Sequence, residues 1–247
     1  MPADEPDLRA AQSPVPDPTS PYWRFYAQVA AEQLAAWLPP TRARVLDLSG
    51  DGPERACQLH ALGHEVLRVG AGDGSDGFVS VVADPRDLAW LADACVDAVV
   101  AESRALSMSL ATEETVRDLA RVLRPGGRLL LVVDSLLTGL ARLADQGRWS
   151  ELADVPSADV VLVPAEDGTI TRCFWPEELL GLLSDAGLAV DWVRPRSVLT
   201  PAAVERGLAH GGDDVLRTLV RTELRLAAER EGEAVGMHLV ASAHRPA

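Results

Sequence analysis

The stretch from Arg44 to Val69 constrains this chain more than any other. Residues 44–49 (Arg-Val-Leu-Asp-Leu-Ser) form a short apolar run that the turn Gly50-Asp51-Gly52-Pro53 breaks. A helical pattern follows to about Leu62 and stops at Gly63, and residues 64–69 read as a second strand. A strand, a glycine turn, a helix and a strand within ~30 residues make a βαβ unit, with parallel strands and a right-handed crossover. The alternation continues through short strands at 79–83, 96–101 and 128–133, with a helix between the last two that Thr112 is expected to cap and Pro125-Gly126-Gly127 to end. Residues 136–153 look helical. A hairpin is expected over 160–163 and 169–174 around Glu166-Asp167-Gly168, then a helix over 176–186 closed by Gly187, and final strands near 190–193 and 237–243. The fold class this implies is α/β: an open, doubly wound, seven-stranded and mostly parallel sheet, with a helical insertion over 201–231 before the last strand.

Residues 1–19 carry Pro2, Pro6, Pro14, Pro16 and Pro18 among acids and alanines, too little apolar surface to offset the entropy of ordering, and read as a disordered tail. The domain is expected over 20–247. Its first helix starts near Ser20 and Pro21, repeats Tyr22, Phe25, Tyr26, Val29 and Leu34 at helical spacing, and stops at Pro39-Pro40. A hydrophobic fraction of 47% excludes a wholly disordered chain, and a net charge of −14 makes nucleic acid and anionic membranes unfavourable partners. The three cysteines, Cys57, Cys95 and Cys173, have no spacing of a zinc site or disulfide framework, and no metal is expected. No apolar run reaches the ~18 residues of a membrane span, and the acidic, proline-rich start is unlike a signal peptide, so a cytoplasmic location is expected.

In a doubly wound sheet, ligands bind beyond the carboxyl ends of the strands at the switch point, which places the first turn at the centre of attention. There the chain reads Val45-Leu46-Asp47-Leu48-Ser49-Gly50-Asp51-Gly52-Pro53, then Gly63-His64-Glu65-Val66. This resembles the first motif of the class I S-adenosylmethionine-dependent methyltransferases of the small-molecule, type 11-like kind. Ala83-Asp84-Pro85-Arg86-Asp87-Leu88 is similar to the family's segment after the third strand. Arg121-Val122-Leu123-Arg124-Pro125-Gly126-Gly127 resembles its helix-to-strand stretch, and Phe174-Trp175-Pro176-Glu177-Glu178-Leu179-Leu180 its late helix.

The resemblance implies S-adenosylmethionine as cofactor. Asp47 would face its amino-acid part, with the backbone of Ser49, Gly50, Asp51 and Gly52 passing beneath. Asp84, before Pro85, would read the adenine. Glu102 would lie where the methyl-bearing sulfur meets the acceptor, and Tyr22 or Tyr26 could close over the cofactor. Physical chemistry permits this, since a carboxylate holds a cationic amine and glycine allows close backbone approach. Each residue also has a duller account: Asp47 bonding its own turn, Asp84-Pro85 as a turn only, Glu102 as a strand end, the tyrosines as packing.

The chain also departs from the family. Ser49, Asp51 and Pro53 stand at the three glycine positions of the motif, and Gly70 stands where an acidic residue normally takes the ribose hydroxyls, with Asp73 the nearest substitute. The function expected is methyl transfer to an oxygen or nitrogen of a small molecule, a secondary metabolite for example, with no catalytic base identified. The alternative is a methyltransferase-like scaffold that has lost catalysis and binds a ligand or partner. The apolar stripes of 201–231 suit either an acceptor pocket or a homodimer surface.

Overall fold

The computed structural model describes residues 19–50, 52–70, 77–102, 104–158, 160–165 and 167–247. Asp51, Asp73, Glu166 and all but the last residue of the expected tail lie outside them. Helix α1 (Tyr22–Trp37) begins where Ser20 Oγ accepts the Tyr22 amide at 3.1 Å, just after Pro21. Strand β1 (Arg44–Asp47), helix α2 (Glu54–Ala61) and strand β2 (Glu65–Val69) build the expected parallel unit, with Arg44 opposite Glu65 and Asp47 opposite Arg68. Next come β3 (Val79–Val81), β4 (Val96–Ala101), α3 (Thr112–Val122), β5 (Leu123–Asp134), α4 (Leu136–Asp145) and α5 (Trp149–Asp154). The hairpin β6 (Val161–Pro164) and β7 (Ile170–Cys173) precedes α6 (Pro176–Asp185), β8 (Ala189–Arg196), α7 (Pro201–His210), α8 (Asp213–Glu229) and β9 (His238–His244).

The main sheet has seven strands in the order β3-β2-β1-β4-β5-β9-β8. The first five run parallel, and β9 is antiparallel to both β5 and β8. Alternation along each strand sends residues to opposite layers. Leu129, Leu131 and Val133 of β5 join Val116 and Leu119 of α3 and Leu179 and Leu183 of α6 in one core, while Leu130 and Val132 join Leu34 and Trp37 of α1 and Leu59 of α2 in the other. Strand order reverses between β1 and β4, so the crevice beyond their carboxyl ends is the place for a ligand.

Several local expectations need correction. Thr112 is the first residue of α3 and makes no side-chain cap; its hydroxyl instead donates to the Ser109 carbonyl at 2.8 Å. Pro125-Gly126-Gly127 does not separate helix from strand but lies within β5. Pairing passes from Val96↔Leu123 to Ala98↔Arg128, and the surplus residues bulge around Gly126, whose φ of +77° favours glycine. The bulge is held because the Gly126 amide donates to the Arg245 carbonyl and the Arg245 amide to the Gly127 carbonyl, both at 2.8 Å. Gly147 interrupts the helix expected over 136–153. The stripes of α7 and α8 pack in part against α1, where Val204, Leu216 and Val220 bury with Tyr22, Phe25 and Val29. Among the described residues no helix is long and apolar enough to cross a membrane.

Candidate active site

At the end of β1 the Asp47 side chain is 1% exposed, and its Oδ1 accepts the Ser49 amide at 3.0 Å. Burial pushes this carboxyl up, while bonds from Ser49 and the nearby Arg55 guanidinium pull it down. The next turn passes through Gly50 at φ +103°, with the Ser49 hydroxyl beside the Asp47 carboxyl. The turn lies directly on the end of β2: a Cβ on Gly70 would sit 3.0 Å from the Gly50 carbonyl oxygen. Gly70 is therefore a close-approach glycine. A side chain at that position would require the Gly50 carbonyl to shift.

Glu102, just past β4, bridges two arginines. Its Oε1 accepts Arg196 Nη2 at 2.7 Å and its Oε2 pairs with Arg55 Nε at 2.7 Å, the carboxylate being 5% exposed. Arg196, from the end of β8, is 1% exposed, donates from Nε to Gln33 at 2.7 Å and stacks over the Tyr26 ring at 5.5 Å. Burial disfavours its charge, but Glu102 overcomes this and holds Arg196 protonated. The first-helix tyrosines thus part company. Tyr26 reaches the crevice's cation, whereas Tyr22 is buried in the α1–α8 core and donates to Ser197 Oγ at 2.7 Å.

Asp84 stands apart from this group. Its carboxylate is gripped by Arg86, with Nε on Oδ1 at 2.9 Å and Nη2 on Oδ2 at 2.8 Å, and Oδ1 also accepts the Arg86 amide at 2.9 Å. These contacts hold its carboxyl below the ordinary range, and Pro85 is part of the same turn. The residues brought together are Asp47, Ser49, Gly50, Gly70, Glu102 and Tyr26. Gly52 lies in the bend before α2, and Asp51 is outside the described residues.

A second polar group, which the sequence did not single out, sits at the end of β5. Asp134 is fully buried, with Arg104 Nη1 at 3.0 and 2.9 Å from its two oxygens and Arg142 Nη1 at 3.2 Å from Oδ2. His238 Nε2 lies 3.4 Å from Oδ1, and the Tyr26 ring packs against the imidazole at 5.5 Å. Burial drives His238 down to about 4, against the opposing pull of Asp134, so the ring is neutral near pH 7, and its Nδ1 has no hydrogen-bond partner among the described residues. An acid closing the apolar run Leu129–Val133 was a readable sign for Asp134. Nothing local marks His238, because it meets Asp134 only through the β5–β9 pairing.

Residues 40–131 match the family model described as a methyltransferase domain. No curated protein sequence matches the chain. Among solved structures, a SAM-dependent methyltransferase from Methanosarcina mazei is 18% identical, with 87% of this chain and 97% of that one covered and a TM-score of 0.53. The 1,6-didemethyltoxoflavin-N1-methyltransferase of Burkholderia thailandensis, solved with its substrate and S-adenosylhomocysteine, is 19% identical over 92% of this chain and 82% of that one, at a TM-score of 0.56. The [4+2]-cyclase SpnF is 18% identical over 91% and 82%, at 0.55. At these identities the likeness concerns the fold, which hosts more than one chemistry.

Proposed function

We propose, from the match of residues 40–131 to the model of a methyltransferase domain, that the crevice beyond β1 and β4 binds S-adenosylmethionine and presents its methyl group to a small-molecule acceptor. The observation that carries this reading is the buried Asp47 carboxylate beneath the Ser49–Gly50 turn. The residues present fit the amino-acid end of the cofactor. Asp47 would hold its ammonium, with the Ser49 hydroxyl beside that carboxyl, and the Gly50 backbone permits close approach. They supply no acid for the ribose at Gly70. When bound, the cofactor supplies an electrophilic methyl on a sulfonium, so the protein's task is mainly to align the acceptor and exclude water. Glu102 holds Arg55 and Arg196 so that neither cation stands uncompensated in the crevice. The acceptor would approach from the β4–β5 side, at an oxygen or nitrogen, and the acidic balance of the chain favours a small molecule over a phosphate backbone.

Titration calorimetry with S-adenosylhomocysteine tests this. Binding is expected, and Asp47→Ala should weaken it about tenfold or more, the worth of a charged hydrogen bond. No heat at millimolar ligand would reject the reading. A second reading, a scaffold without catalysis, is favoured by Glu102 being committed to two arginines and by the loop lying on Gly70. It expects neither cofactor binding nor turnover.

A further inference from the structure

We propose that the hollow beside the crevice takes a carboxylate-bearing acceptor, gripped by Arg104 and Arg142; this rests on the methyl-transfer reading and names the acceptor's class. The hollow has a volume of about 510 Å³, in the range of small-molecule sites. Met108, Val163 and Pro164 supply apolar wall, and the two arginines line it.

Among the described residues two guanidiniums converge on the single buried carboxylate Asp134, with His238 neutral behind it. The Arg104 and Arg142 side chains stay partly exposed where they line the hollow, so that an anionic group there would meet both guanidiniums. Among the described residues each arginine uses a single terminal nitrogen on Asp134, and both planar forks line the hollow. A carboxylate fits such forks in a bidentate manner.

A further feature supports a built site: Arg104 holds φ +58°, a conformation rare for a side-chain-bearing residue, and such outliers gather where a group must be aimed. The lining carboxylates Asp145 and Asp167 are exposed, and Asp167 is turned onto the Thr169 amide and hydroxyl, so solvent screens both.

The test is ligand-observed NMR on the full chain, with and without S-adenosylhomocysteine, using benzoate, benzamide and phenyl phosphate as probes. Benzoate is expected to bind about tenfold or more tightly than benzamide. Arg142→Met should abolish that preference, Arg142→Lys should keep part of it, and Arg104→Met should act as Arg142→Met does. Retained S-adenosylhomocysteine binding shows that each variant is folded. Equal binding of benzoate and benzamide, binding of none of the probes, preference for phenyl phosphate, or a preference untouched by Arg142→Met would each overturn the proposal. If benzoate selectivity holds but S-adenosylhomocysteine does not bind the natural chain, the methyl-transfer reading fails and the carboxylate site stands.

Discussion

Protonating His238 should destabilise this protein from within. The imidazole is expected near 6.5 in the unfolded chain and is pushed down to about 4 in the fold by burial, with Asp134 pulling the other way and Arg104, Arg142 and Arg196 adding to the burial effect. Between those two values the unfolded chain carries a proton that the folded one refuses. Stability from the neutral ring is therefore complete above pH 6.5 and drains away as the pH falls toward 4. One pKa unit corresponds to about 1.4 kcal/mol, so the full gap is worth about 3 kcal/mol, and about 2.5 kcal/mol of it is gone by pH 4.5. His238→Gln keeps an amide donor for Asp134 and cannot take up the proton. Urea denaturation of both proteins at pH 7 and 4.5 cancels the other titrating groups. The natural chain is expected to lose about 2.5 kcal/mol more than the variant across that interval. Equal losses would show that His238 is not held neutral beside Asp134.

Other outcomes follow from single contacts. Glu223 is fully buried and accepts the Val198 and Leu199 amides at 2.9 Å each, fixing the turn after Ser197 at φ +65°. Glu223→Ala should cost about 2–4 kcal/mol in urea denaturation and Glu223→Gln less, since one acceptor oxygen remains; a loss below ~1 kcal/mol for the alanine variant contradicts the assignment. Gly70→Ala places a methyl 3.0 Å from the Gly50 carbonyl oxygen and should cost about 1–2 kcal/mol while displacing the turn beneath Asp47. An unchanged unfolding midpoint would mean that the turn yields freely.

Much of the architecture is legible in the linear chain because its signals are local. Glycine at 50, 63 and 187 punctuates elements whose apolar period switches between two and 3.6, and that rhythm alone specifies strands, helices and their parallel order. The Ser49–Gly50 turn and Asp47 are legible for the same reason, since both sit within four residues of a strand end. The partners of the remaining site residues are not. Glu102 could be placed past β4, but its capture by Arg55 and Arg196 joins residues 47 and 94 positions away. His238 meets Asp134 only because β9 inserts antiparallel between β5 and β8. Arg86 beside Asp84 was visible in the chain, yet only folding decides whether a neighbouring cation grips the carboxylate or faces water. Sequence determined the sheet and the place of its crevice, through local periodicity and backbone freedom. Tertiary structure alone decided which charges are paired there, because burial and charge matching depend on strands that meet only after the chain has closed on itself.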